Sequence, residues 1–176
     1  LRGVNGSISV TARDQPVCDG SIQYSISANT AEALATKKAK VHLLEHRKDG
    51  VLTLTLDGDP NSASFDLGVP AGLNLDLETS NDEIRISGAF HSFQLDTSND
   101  NIIIELTEGL SANSKADTSN GDIKVTCLTA LNATAKTATS NGKTKVQTIQ
   151  ADSPYELILD TSNGDIEVKD GLEQKS

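Results

Sequence analysis

The chain has 176 residues and a mass of 18.5 kDa, long enough to bury a core without metal or disulfide staples, and a single domain is expected. Twenty-five acids against fifteen bases give a formal charge of −10, which excludes the electrostatic footprint of a nucleic-acid or anionic-lipid binder. Aromatics make up only 3% with no Trp, so stacking platforms for sugars or single strands are nearly absent, and the longest aliphatic run, Ile102-Ile103-Ile104, excludes a transmembrane helix. No Met occurs, even at position 1, and no signal-peptide pattern stands at Leu1, so a processed or trimmed chain is expected.

In chain order, VNGSISV from Val4 is a faint copy of a motif that recurs downstream, and CDGSIQY from Cys18 is a half-match. The stretch NTAEALATKKAK from Asn29 fits a short helix with a capping box between Asn29 and Glu32, or equally a strand leading into Val41. Val41 to Arg47 and Val51 to Leu56 flank Lys48-Asp49-Gly50 and read as an antiparallel hairpin. Ser64 to Val69 alternates again and ends at the turn Pro70-Ala71-Gly72. Residues 1–70 are thus expected to form a cap and the first strands, and residues 71–176 a repeat region, with no Pro- or Ser-rich linker to divide one 1–176 domain.

The triplet Thr-Ser-Asn begins at Thr79, Thr97, Thr118, Thr139 and Thr161, at intervals of 18, 21, 21 and 22 residues. Alternation along a strand puts Leu77, Leu95, Ala116, Thr137 and Leu159 inward, together with the Thr and Asn of each triplet, and leaves the Ser outward. After the Asn the parity shifts by one, so that Ile84, Ile102, Ile123, Thr144 and Ile166 also face inward beyond a two-residue corner. Gly121, Gly142 and Gly164 stand at that corner in three repeats and Asp82 and Asp100 in the other two, types that tolerate left-handed dihedrals. The reading is an all-β fold: a parallel β-solenoid, or β-helix, of about 21-residue rungs with an antiparallel β cap in the N-terminal part.

Stacking places equivalent residues about 4.8 Å apart in columns. Thr79, Thr97, Thr118, Thr139 and Thr161, with Asn81, Asn99, Asn120, Asn141 and Asn163, are expected to be structural ladders of hydroxyls and amides. The inward Thr register argues against an ice-binding face, which would need paired outward Thr columns. Outward stand the acids Glu78, Asp96, Asp117 and Asp160, interrupted by Ala138, and past the corner Asp122 and Asp165, interrupted by Lys143; these six acids form the candidate binding face. Neighbouring charges in such columns repel by roughly 1 kcal/mol in water. The cost is relieved either by solvated neighbours such as Arg85, Lys124 and Lys145 or by weak calcium binding, so no metal ligand set is assigned and no other cofactor is expected.

No catalytic set converges. His42, His46 and His91 are dispersed, and repeated acids in equivalent surroundings lack the split environments of a general acid and base. Cys127 faces inward and reads as a buried free thiol, since a bond to Cys18 in the cap would demand a Cα separation below about 7 Å. The sequons at Asn5 and Asn132 matter only in a eukaryotic secretory protein.

The TSNGDI-x-V blocks, introduced by FDLGVPAGLNLDLETSND, resemble the bacterial putative-adhesin domain family of unknown function, whose relatives include head domains of proposed auto-transporter adhesins. The likeness spans Ser64 to Asp170 and extends to VNGSISV; the chain departs from it at Asp82 and Asp100, in place of the corner glycine. The resemblance implies a β-solenoid with an antiparallel cap, at the cell envelope or outside the cell, and carries no catalytic residue over. The expected function is a non-enzymatic, adhesin-like binding or structural module for a cell-surface or envelope ligand. It is not itself membrane-spanning, binds no nucleic acid, and has open strand edges that permit self-association. A polysaccharide-active enzyme and a self-assembling structural module are the alternatives.

Overall fold

The computed structural model describes residues 1, 5–48, 51–58, 60–148 and 153–171. Its N-terminal part comprises β1 (Ile8–Arg13), β2 (Asp19–Ser25), α1 (Ala31–Lys38), β3 (His42–Lys48), β4 (Val51–Asp57) and β5 (Ser62–Pro70). Each repeat then contributes two strands: β6 (Asn74–Thr79) and β7 (Ile84–Gly88), β8 (Ser92–Thr97) and β9 (Ile102–Leu106), β10 (Ser114–Asn120) and β11 (Ile123–Cys127), β12 (Thr134–Asn141) and β13 (Thr144–Gln147), β14 (Glu156–Asn163) and β15 (Ile166–Lys169). The period-2 alternation read in the sequence is what makes these strands, because it puts one apolar side chain on the same face at every second residue.

The first strands of the repeats form a five-stranded, wholly parallel sheet in the order β12-β14-β10-β8-β6. The second strands join the N-terminal ones in an eight-stranded mixed sheet, β13-β15-β11-β9-β7-β1-β5-β2, antiparallel only between β2 and β5. Between the sheets lies one core in which Leu77, Leu95, Ala116 and Leu159 meet Ile84, Ile102, Ile123 and Ile166. Each such Leu or Ile contributes about 1.5–3 kcal/mol by leaving water.

The expected parallel β-solenoid is not what forms. The chain builds a mixed sheet and a separate parallel sheet, without closing into a single parallel β-helix, and the strands do not advance in chain order. β14 pairs with both β10 and β12, and β15 with both β11 and β13, so the fifth repeat lies between the third and the fourth. Side-chain volume explains the exchange. The fourth repeat offers Ala135, Thr137 and Thr144 where the fifth offers Leu157, Leu159 and Ile166, all three at most 1% exposed. An internal position covered on both sides rewards the larger apolar set, and the weaker set falls to the end.

The antiparallel cap is also corrected. β1 and β5 run parallel within the eight-stranded sheet, β1 between β7 and β5, while antiparallel pairing is confined to β2 and to the separate hairpin of β3 and β4. Asp49 and Gly50 of the expected hairpin turn lie outside the described residues. The helical alternative holds for the segment after Asn29, but the N-cap is Thr30, whose Oγ1 accepts from the Ala33 N–H at 3.2 Å. No residue of α1 is buried, so capping and alanine propensity hold it rather than packing.

Candidate functional site

The corner that joins the two strands of each repeat carries three parallel ladders. The Thr side chains turn into the core, with Thr79, Thr97, Thr118 and Thr161 buried and Thr139, in the end layer, half-buried. Each hydroxyl donates to a corner carbonyl of the adjoining layer: Thr79 to Gly6, Thr97 to Asp82, Thr118 to Asp100, Thr161 to Gly121 and Thr139 to Gly164, all at 2.9–3.0 Å. These bonds satisfy carbonyls that turn residues would otherwise leave unpaired.

The Asn residues do not face inward as parity suggests; all five are exposed. At the end of its strand the chain is already rotating into the corner, and the carboxamide swings outward to lie along the stack. The amides form a directional chain in which Asn141 donates to Asn163 at 2.8 Å, Asn163 to Asn120 at 2.8 Å, Asn120 to Asn99 at 3.0 Å and Asn99 to Asn81 at 2.7 Å. Asn81 donates in turn to Asn5, a member that sequence reasoning passed over although the Asn-Gly of VNGSISV matches that of the later repeats. Asn5 has φ +50 and Asn132 φ +57, and both sequon amides are engaged, Asn5 with Asn61 and Asn132 with Leu110.

The corner glycines serve a different purpose from the one expected. Gly121, Gly142 and Gly164 do not adopt left-handed dihedrals; a Cβ on them would stand 2.2, 1.8 and 2.0 Å from the carbonyl oxygens of Asp100, Gly164 and Gly121. They are required by the close approach of one layer to the next. Where Asp82 and Asp100 replace them, the strand stops earlier, at Thr79 and Thr97, and the corner is longer.

Of the six candidate acids, Asp122 and Asp165 lie beside the corner and work structurally. Asp122 accepts the Asp165 N–H at 2.7 Å, Asp165 accepts the Lys143 N–H at 2.8 Å, and the Asp122 N–H donates to Asn101 Oδ1 at 2.8 Å. The other four come together on the outer face of the five-stranded sheet. Registration pairs Glu78 with Asp96, Asp96 with Asp117 and Asp117 with Asp160, with Ala138 beyond Asp160. The exchange of the fourth and fifth repeats therefore turns an interrupted column into four consecutive carboxylates. Partial burial first, then the charges of Asp117 and Glu78, push the Asp96 carboxyl above its ordinary value, while Lys115 pulls it down. Lys115 pairs with Asp117, and this hydrogen bond raises the lysine's own pKa. Two residues further along in each repeat, on the same outer side, an exposed Ser column, Ser80, Ser98, Ser119, Ser162 and Ser140, completes the strip. Among the described residues no group of three or more His, Cys, Asp or Glu is placed to hold a metal ion.

A second feature lies at the opposite side of the layers, where the loops after β1, β5, β7 and β9 form an open groove of about 660 Å³ lined by Arg13, His91, Glu108 and Ser111. His91 Nδ1 and Ser111 Oγ are 2.6 Å apart, both exposed. They stand 20 residues apart, close to one repeat, which was the signal in the sequence for their contact. Arg13 binds both carboxylate oxygens of Asp19 at 2.8 and 3.1 Å. His42 and His46 lie apart from this groove on β3. Both cysteines are free, Cys18 exposed and Cys127 buried, where desolvation raises the Cys127 thiol.

No family model matches the chain and no curated protein matches it, so the TSNGDI-type likeness has no family match behind it. Among solved structures the fold is similar to the crystal structure of a protein from Clostridium sporogenes described as a "putative cell adhesion protein", with a TM-score of 0.57. The two share 11% identity over 96% of this chain and 90% of that one, a likeness of fold.

Proposed function

We propose that this chain is a non-enzymatic, adhesin-like binding module displayed at the cell envelope or outside the cell, whose contact surface is the acid and serine strip of the five-stranded sheet. One observation carries the reading: Glu78, Asp96, Asp117 and Asp160 stand side by side in strand register. Folding does not require that arrangement, since each like-charged cross-strand pair costs roughly 0.2–1 kcal/mol and the equivalent position in the fourth repeat is Ala138. A surface that keeps four carboxylates together at a cost is suited to a ligand bearing amines, or one that hydrogen-bonds to a row of acceptors. The fold neighbour described as a "putative cell adhesion protein" supports the same direction.

The test is binding of the purified chain to immobilised envelope polysaccharides and extracellular-matrix proteins, beside the variant E78Q/D96N/D117N/D160N. The wild type is expected to bind at least one of these with an affinity that falls as salt rises, and the variant to lose it by roughly tenfold or more. Silence of every ligand, equal binding by the variant, or turnover of a polysaccharide would overturn the proposal.

A further inference from the structure

The two ends of the stacked sheets are finished differently. At the N-terminal end the eight-stranded sheet runs three strands further than the five-stranded one, to β2 lying antiparallel on β5, and Leu1 lies against β6, donating to the Asp76 carbonyl at 2.6 Å and accepting from the Glu78 N–H at 2.9 Å. At the other end, β12 and β13 are the last strands of their sheets, and among the described residues β12 pairs only with β14 and β13 only with β15. Among the described residues, both sheets therefore stop at the same level with open edges.

The core is uncovered there as well. Val146 shares a column with Val168 and Val125, both 0% exposed, yet is itself 43% exposed. Thr144, in register with the buried Ile166, is exposed, and Ala135, Thr137 and Thr139 are half-buried. The corner ladders run out in the same layer. Asn141 and Thr139 donate to Asn163 and Gly164, while no described residue donates to Asn141 Oδ1 or to the Gly142 carbonyl, the two acceptors a further layer would use.

We infer that the β12 and β13 end is an association surface whose occupant is the same end of a second copy, related by a two-fold axis. The geometry of the vacancy selects this partner. A single extended peptide can pair with one edge but leaves the other edge and Val146 in water. Covering all three at once takes two strand edges about 10 Å apart with apolar residues between them. This chain's own end has that form. An isologous contact also closes at two copies, whereas a head-to-tail contact would need a matching pair of level edges at the N-terminal end, where the five-stranded sheet stops at β6 against Leu1 and the eight-stranded sheet runs on past β7 through β1 and β5 to β2. Residues 134–147 contain Lys136, Lys143 and Lys145 and no acid. Lys136 pairs with Glu156 and Lys145 with Glu167 in the neighbouring layer, which reduces the repulsion between two such ends without removing it.

Sedimentation of the whole chain from micromolar to millimolar concentration, at low and high salt, tests the inference. A monomer–dimer equilibrium that tightens with salt is expected, since screening relieves lysine repulsion. Val146→Lys should weaken it by roughly tenfold or more while its melting temperature, read at monomer concentrations, stays close to wild type. Gln23→Lys, on the opposite edge strand, should leave dimerisation unchanged. A monomer throughout, assembly beyond two copies, association that weakens with salt, or loss in Gln23→Lys but not in Val146→Lys would each overturn it.

Discussion

Asn120 illustrates how much a single exposed side chain does in this molecule. It accepts from Asn163 and donates to Asn99, so Asn120→Ala breaks the amide chain on both sides. We expect a loss of about 1 kcal/mol by urea denaturation, large for an exposed residue. Gly121→Ala should cost more, about 1–3 kcal/mol, because its new Cβ would lie 2.2 Å from the Asp100 carbonyl oxygen, and backbone, unlike a flexible side chain, cannot yield. Asp96 points the other way. Its carboxyl is raised by burial and by neighbouring acids, so the folded chain holds that proton more tightly than the unfolded one. Stability therefore falls as pH rises from the ordinary carboxylate value through the raised one, and the penalty is complete above it. Asp96→Asn should raise the melting temperature at neutral pH, with the gain vanishing below the ordinary carboxylate value; an unchanged or lower melting temperature at neutral pH would contradict this.

Strands from different repeats have the same register but unequal packing value. Leu159 on β14 is 0% exposed, flanked on one side by the buried Ala116 and on the other by Thr137, whereas Thr137, on the last strand β12, is half-buried at the end of the sheet. Leu159→Ala should cost about 2–5 kcal/mol and Thr137→Ala within about 0.5 kcal/mol, compared by denaturant midpoints at constant slope. Comparable losses at both sites would mean that the fourth repeat is covered in solution as fully as the fifth. That outcome in dilute protein would contradict the arrangement described.

At the scale of the whole molecule, one core cluster runs from Ile8 and Phe65 near one end to Leu157 and Val168 near the other, with side chains from both sheets. A continuous core of this kind should unfold in one transition. The two tyrosines make this measurable, because Tyr24 lies on β2 at one edge of the eight-stranded sheet and Tyr155 just before β14. Tyr24→Phe and Tyr155→Phe each leave one fluorescent reporter, and the two should give coincident midpoints. Separated midpoints would show that the N-terminal strands melt independently of the repeats.

Strand formation, the inward Thr column, the repeat registers and the corner positions were legible in the sequence, because all of them are local consequences of period-2 alternation. Three things were not. The outward turn of the Asn amides depends on how the backbone rotates as a strand leaves its sheet, which parity counting does not include. The glycines at 121, 142 and 164 were correctly placed at corners, but the reason for them, a carbonyl about 2 Å from any Cβ, belongs to a neighbouring layer distant in the chain. Above all, five similar blocks leave their order in space open, since every TSN strand can pair with every other in the same register. Only competition for covered positions decides it, placing the Leu- and Ile-bearing fifth repeat inside and the Ala- and Thr-bearing fourth outside. That one choice made by packing aligns Asp117 with Asp160, completes the row of four acids, and leaves the fourth repeat's edge open.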